Sequence, residues 1–291
     1  MNNNIFNTIG KSTFMMTVKY FYEVDCFNLN RKARLYYPFP YQLAYFLRKF
    51  FYSGQDNQSA NDLGKKEIIK NIQAKLNTVK ETINWEQSLL NASFVVFDSE
   101  TTGLQPFWGD KIISLSAVIV EEGVIKTEAI FDELINPLRS IPPRSTDITG
   151  ITNAMISGRP TLFQVLPEFL NFIGSRILVA HCASFDLAFL NIELGQYLAS
   201  RIMNPVIDTR LLAKKILPHM NSYSLDNLLK SFNLEIKGRH TSRGDALMTA
   251  QLFIKLLEIL EEKGIYTLNQ LAHFLSTSQT HEAYLKWRGQ L

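Results

Sequence analysis

The sequence predicts a mixed α/β sheet covered by helices. Two observations carry this. Three apolar strand candidates, 94–97, 112–120 and 129–135, follow one another as a meander, with a hairpin turn suggested between Ile119 and Ile125. Short apolar runs at 177–180 and 206–208 then alternate with helical patterns at 186–199, 209–216, 224–232 and 245–262. A meander followed by strand–helix alternation points to strands of both directions in one sheet. Further helices are expected over 147–156 and 162–173.

The 291 residues suffice for one catalytic domain with attachments, and an apolar share of 46% allows a full core. Two cysteines without a CxxC pair argue against a disulfide framework or a zinc cage and fit a reducing compartment. No apolar run reaches the roughly 18–20 residues that span a bilayer. The first residues lack the basic start, apolar stretch and small-residue cleavage site of a leader, so a cytoplasmic protein is expected.

The charge is uneven. Residues 1–90 carry a net +5 and the remainder a net −2, within an overall +3. Thirteen of the 34 aromatic residues lie between Tyr20 and Tyr52, mixed with Arg31, Lys32, Arg34, Arg48 and Lys49. The stretch 41–51 reads as a helix and 53–64 as a polar linker. Ile68, Ile69, Ile72, Leu76, Val79 and Ile83 recur at helical spacing, so 65–90 reads as a helix able to pack on the central domain. These features divide the chain into a mostly helical extension (1–90), that central domain (91–262) and a helical tail (263–291). The extension has two readings: a surface that stacks on nucleic acid, or a helical segment that packs on the central domain or a partner.

Three segments carry chemistry. The first is Asp98-Ser99-Glu100-Thr101-Thr102-Gly103, at the end of the first strand. Side chains alternate along a strand, so Asp98 and Glu100 share a side. Two adjacent carboxylates repel unless a cation lies between them, and an all-oxygen set suits Mg²⁺ or Mn²⁺. A solvated turn is the plain alternative. The second is His181-Cys182-Ala183-Ser184-Phe185-Asp186, where a loop leaves the sheet. Asp186 there reads either as a ligand or as a helix N-cap. In the third, Arg239-His240-Thr241-Ser242-Arg243-Gly244-Asp245, the helix is expected to begin at Asp245, with His240 in the loop before it. A histidine beside a cation is held in the neutral form that accepts a proton.

In this order and spacing the three segments resemble the DEDDh exonuclease family, to which the proofreading epsilon subunit of bacterial DNA polymerase III belongs. The resemblance covers about 93–262, including Ile148-Thr149-Gly150, Asp208-Thr209 and Ser222-Tyr223-Ser224-Leu225-Asp226. It implies a ribonuclease H-like five-stranded sheet whose second strand is antiparallel to the others. It also implies two divalent metals, Mg²⁺ or Mn²⁺, on Asp98, Glu100, Asp186 and Asp245, with His240 as general base. The expected activity is metal-dependent 3′→5′ removal of nucleotides from DNA, in repair or proofreading. By the same resemblance Thr101, Thr102, Gly103 and Leu104 hold the 3′-terminal nucleotide, and Phe185 packs near the terminal bases or, alternatively, in the core. Cys182 stands where the family often has Asn and reads as a small packing residue; Asp208 reads as a structural group at a strand end. Trimming of RNA ends and a non-catalytic adaptor are the alternatives. Gln270-Leu271-Ala272-His273-Phe274 resembles the pentapeptides that dock on bacterial sliding clamps, which makes a clamp or a polymerase a candidate partner beside the nucleic acid 3′ end.

Overall fold

The computed structural model describes residues 62–78, 83–198 and 200–276. The aromatic and basic stretch 20–52, its helix and most of the linker lie outside these residues. Five strands form one sheet: β1 (Phe94–Thr101), β2 (Ile112–Glu121), β3 (Val124–Leu134), β4 (Ile177–Ala180) and β5 (Val206–Asp208). Their order is β3-β2-β1-β4-β5. β2 runs antiparallel to β1 and β3, whereas β4 runs parallel to β1 and to β5. The second strand is thus the reversed one, as the resemblance implied.

Helices cover both faces, and residue parity along β1 decides which side chain meets which helix. Val95 and Phe97 enter a core built with α1 (Asp62–Thr78), α4 (Leu162–Ile173) and α5 (Ser184–Leu198). Phe94 and Val96 enter a second core with α6 (Thr209–Ile216), α7 (Leu225–Ser231), α8 (Ser242–Glu262) and α9 (Leu268–Ser276). Phe94 meets Phe253 of α8 edge to face, with ring centroids 4.9 Å apart. The same alternation carries Ser99 to the α5 side and Asp98 and Glu100 to the α8 side. Asp98 and Glu100 therefore face the helix that brings Asp245.

Several boundaries differ from expectation. The described part of the first helix is Asp62–Thr78, and residues 83–90, also expected in it, are not helical. Beyond it Trp85, Gln87 and Leu89 exchange backbone hydrogen bonds with 266–269, and Leu89 is wholly buried in the second core. Ile72 and Leu76 are buried in the first core. Both flanks of the 91–262 segment thus contribute to its interior. The helix expected over 147–156 is two pieces, α2 (Pro143–Thr149) and α3 (Asn153–Ile156), separated at Gly150 in the left-handed region at φ 72°. β3 starts earlier than expected because a two-residue turn, Glu122-Gly123, zips it onto β2 directly. Residues 270–274 lie inside α9, with Leu271 and Ala272 buried. Leu271 and Ala272 thus belong to the core, whereas Gln270 and His273 are exposed. No helix among the described residues is long and apolar enough to cross a membrane.

Candidate active site

β1 carries the first two carboxylates further than the apolar run suggested, since the strand continues to Thr101. Asp98 pairs with Ser116 of β2 and Glu100 with Ser114. The register then slips between Glu100 and Thr101. Such bulges re-aim side chains beside functional sites. Ser242, at the start of α8, lies 2.5 Å from the Ser114 hydroxyl and 2.7 Å from that of Ser116. That buried hydroxyl cluster seats the first turn of α8 on β2 opposite the acidic strand end. One ligand oxygen from each of Asp98, Glu100 and Asp245 then falls within 4.8 Å of the others.

Asp186 approaches from α5. It sits inside the first helical turn rather than at the cap. Its Oδ1 accepts from the Ser99 N–H at 3.0 Å and from the Ser99 hydroxyl at 2.6 Å. The capping task falls to Asp208 instead. Its carboxylate accepts from the Cys182 and Ala183 N–H groups ahead of α5 and from those of Arg210 and Leu211 in α6. Cys182 occupies the left-handed region at φ 66°. Asn tolerates that conformation better than most side chains, a physical reason for the family's frequent choice there. His181 Nδ1 lies 2.9 Å from the Thr209 hydroxyl, and burial together with Arg210 pushes the ring down to about 4. It is a neutral structural group at neutral pH.

Asp245 lies in the first turn of α8, which begins at Ser242 and is capped by the Thr241 hydroxyl. Its Oδ2 accepts from Arg239 and, at 3.3 Å, from the His240 N–H. Oδ1 is buried and has no hydrogen-bond partner. His240 stands on an exposed turn at φ 60°. Gly244 is required here: a Cβ would collide with the Gly238 carbonyl, so the turn lies directly on the helix.

The electrostatics are those of an acidic cluster short of positive charge. Burial, then Asp186, Asp245 and Glu100, push the Asp98 carboxyl well above the usual range. Burial, then Asp245 and Asp186, push Glu100 up to about 7. Burial pushes Asp186 up to about 7 against the pull of the Ser99 hydrogen bonds. Asp245 is raised by burial and lowered by Arg239. An oxygen-only donor set, mutual repulsion and a buried oxygen lacking a partner together fit a divalent cation.

The loop after Glu100 is closed on itself. The Thr102 N–H donates to Lys111 O at 2.8 Å, and the Thr101 hydroxyl to Gly103 O at 2.6 Å. The amide of Thr102 is therefore engaged within the loop itself. Asp110 accepts from the Thr102 hydroxyl and the Gln105 N–H, and a Cβ at Gly103 would strike its carboxylate. Here glycine makes room for Asp110. Leu104 is 66% exposed at the loop tip. The Phe185 ring packs edge to face on Phe189 at 5.1 Å and joins the first core.

Residues 95–253 match the RNase T family model, described as exonuclease. The chain belongs to this exonuclease family. Among similar proteins is the DNA polymerase III subunit epsilon of Aquifex aeolicus, 41% identical over 180 residues, spanning 62% of this chain and 88% of that one. The PolC-type DNA polymerase III of Thermotoga petrophila is 39% identical over 199 residues, 68% of this chain but 14% of that much longer protein. The nuclease domain of 3′hExo, a DEDDh family member bound to rAMP, shares the fold at a TM-score of 0.52 and 18% identity, covering 58% of this chain and 92% of that one. The exonuclease has the five-stranded sheet and flanking helices of a ribonuclease H-like fold, and its acidic segments follow in the DEDDh order. Two residues beside its acidic cluster carry no signal of their role in the sequence. Arg239 directly precedes His240, and Asp226 closes the Ser222–Asp226 segment; neither local pattern reveals that they pair.

Proposed function

We propose that this exonuclease hydrolyses the 3′-terminal phosphodiester of DNA, single-stranded or frayed, in repair or replication proofreading, using two Mg²⁺ or Mn²⁺ ions. The observation that carries the reading is the convergence of Asp98, Glu100 and Asp245 within 4.8 Å, with Asp186 close enough to act on the Asp98 charge. Asp98, Glu100, Asp186 and Asp245 would hold the ions, four carboxylates nearly balancing two divalent charges. Bound there, such ions lower the pKa of a water and stabilise the charge of the leaving 3′ oxygen.

The chain's own residues do the rest. Ser99 takes one oxygen of Asp186 and leaves the other for a ligand. His240, on the turn beside Asp245, accepts the proton of the attacking water. Leu104 meets a terminal base at the exposed loop tip, with Thr101, Thr102, Gly103 and Phe185 shaping the pocket behind it. Preference for DNA, polymerase association and a cytoplasmic setting are supported by the epsilon and PolC relatives.

The test is a time course on 5′-labelled single-stranded DNA and RNA of the same sequence. Expected is stepwise shortening in Mg²⁺ or Mn²⁺, faster on DNA and suppressed by a bulky 3′ block. Faster trimming of RNA would overturn the substrate class, and efficient cutting of a closed single-stranded circle would overturn exonucleolytic action.

A further inference from the structure

Asp245 uses its two oxygens differently. Oδ2 is held by Arg239 and the His240 N–H, whereas Oδ1 is buried with no hydrogen-bond partner. Arg239 is itself held from the other side. Its Nε donates to Asp226 Oδ1 at 2.7 Å and its Nη2 to Asp226 Oδ2 at 3.4 Å. One guanidinium therefore links the start of α7, the turn that bears His240, and the first turn of α8. The turn is fixed at its base as well: the Thr241 hydroxyl donates to Gly238 O at 2.7 Å and accepts from the Gly244 N–H at 3.1 Å.

Two physical roles fit a guanidinium at such a place, and they oppose each other. A bare positive charge beside acidic ligands competes with a bound cation. A fork that fixes one oxygen of a ligating carboxylate directs the other oxygen and limits its rotation. The geometry favours the second. The planar fork spans two carboxylates, and Asp226, which lies outside the acidic cluster, accepts from Arg239 with both oxygens. A competing ion would not need an anchor of its own.

We propose that the Asp226–Arg239 pair is a positioning device that presents Asp245 to the metal through one oxygen and fixes the turn carrying His240. The proposal rests on the metal centre proposed above. Neither residue touches substrate or metal; both act through Asp245 and the His240 backbone.

The experiment is Mn²⁺ binding to the full chain, by calorimetric titration and by the Mn²⁺ paramagnetic resonance spectrum, for wild type, Arg239→Gln, Arg239→Lys and Asp226→Asn. Outer partners of metal ligands typically contribute about 10–100-fold in affinity. Arg239→Gln is expected to weaken binding by about tenfold or more and to change the Mn²⁺ line shape. Arg239→Lys keeps the charge but loses the fork, so it should also weaken binding. Tighter binding in Arg239→Gln would overturn the proposal and leave Arg239 a competing charge; unchanged binding in Arg239→Gln, or wild-type binding in Arg239→Lys, would overturn it as well. Should the Arg239 variants fail to fold, Asp226→Asn decides, because it leaves the Arg239–Asp245 pair in place: weaker binding supports the device, unchanged binding overturns it. A wild-type chain that binds no Mn²⁺ would overturn the metal centre itself, and the device with it.

Discussion

Ser99 gives both its N–H and its hydroxyl to one oxygen of Asp186, at 3.0 and 2.6 Å. This is the link between β1 and α5 at the acidic centre. It explains why the residue between the two β1 carboxylates is small and polar: it points to the opposite face, where Asp186 arrives. Ser99→Ala keeps the amide bond and loses the hydroxyl bond. A hydrogen bond to a charged group contributes about 1.5–3 kcal/mol, so a loss near the lower end is expected in denaturant unfolding, with weaker Mn²⁺ binding. An alanine variant with wild-type stability and metal affinity would remove Ser99 from this role.

The assignment of His240 predicts a split between chemistry and binding. General base catalysis contributes ~10²–10⁴-fold, so His240→Ala should lose turnover of that order with metal affinity nearly kept. Asp245→Asn should weaken metal binding itself. Rapid-quench turnover at saturating Mn²⁺, set beside binding isotherms, separates the two. Near-wild-type turnover in His240→Ala would remove it as the base.

The raised carboxyls predict an unusual pH dependence without metal. Burial and neighbouring charge raise Glu100 from 4.5 to about 7, and burial raises Asp186 from 3.8 to about 7. Between those values the folded chain holds more protons than the unfolded one. The contribution of these groups to stability is therefore fully present below their unfolded values and is lost as pH rises through 7. Glu100→Gln removes part of that loss. In chelator at pH 8 it should be more stable than wild type, by on the order of 1 kcal/mol after allowing for partial exposure. At pH 5 the two should nearly coincide. Thermal melts at both pH values check this, and a variant less stable at pH 8 contradicts it.

Packing of the flanks predicts where truncation becomes harmful. Ile72, Leu76 and Leu89 are buried in the two cores, and deletion of a large buried aliphatic side chain costs about 2–5 kcal/mol. A chain starting at residue 62 retains these contacts. One starting at residue 91 should unfold many degrees lower. Equal midpoints would show that these contacts add little.

The parts legible in the sequence are those set by local pattern. β4, β5, α4 and α6 stand within the bounds that apolar runs and helical spacing indicate. Helical spacing overshoots at 83–90 because Ile83 continues it, while the chain past residue 83 pairs with 266–269, a partner that no local window contains. The division of 147–156 is readable, since Gly150 marks it. At the acidic centre the residue types and their order are legible. Their support is not: Ser99 meets Asp186 across 87 residues, Asp208 caps α5 from 25–26 residues away, and Arg239 pairs with Asp226 across 13.

Four carboxylates from three separate segments are proposed to form one metal centre. The most direct measurement is anomalous diffraction at the manganese edge from crystals grown with Mn²⁺ and a nucleoside 5′-monophosphate. Two anomalous peaks are predicted within coordinating distance of Asp98, Glu100, Asp186 and Asp245. Full hydrolytic activity in the same solution with no peak at these carboxylates, or peaks held by other residues, would contradict it.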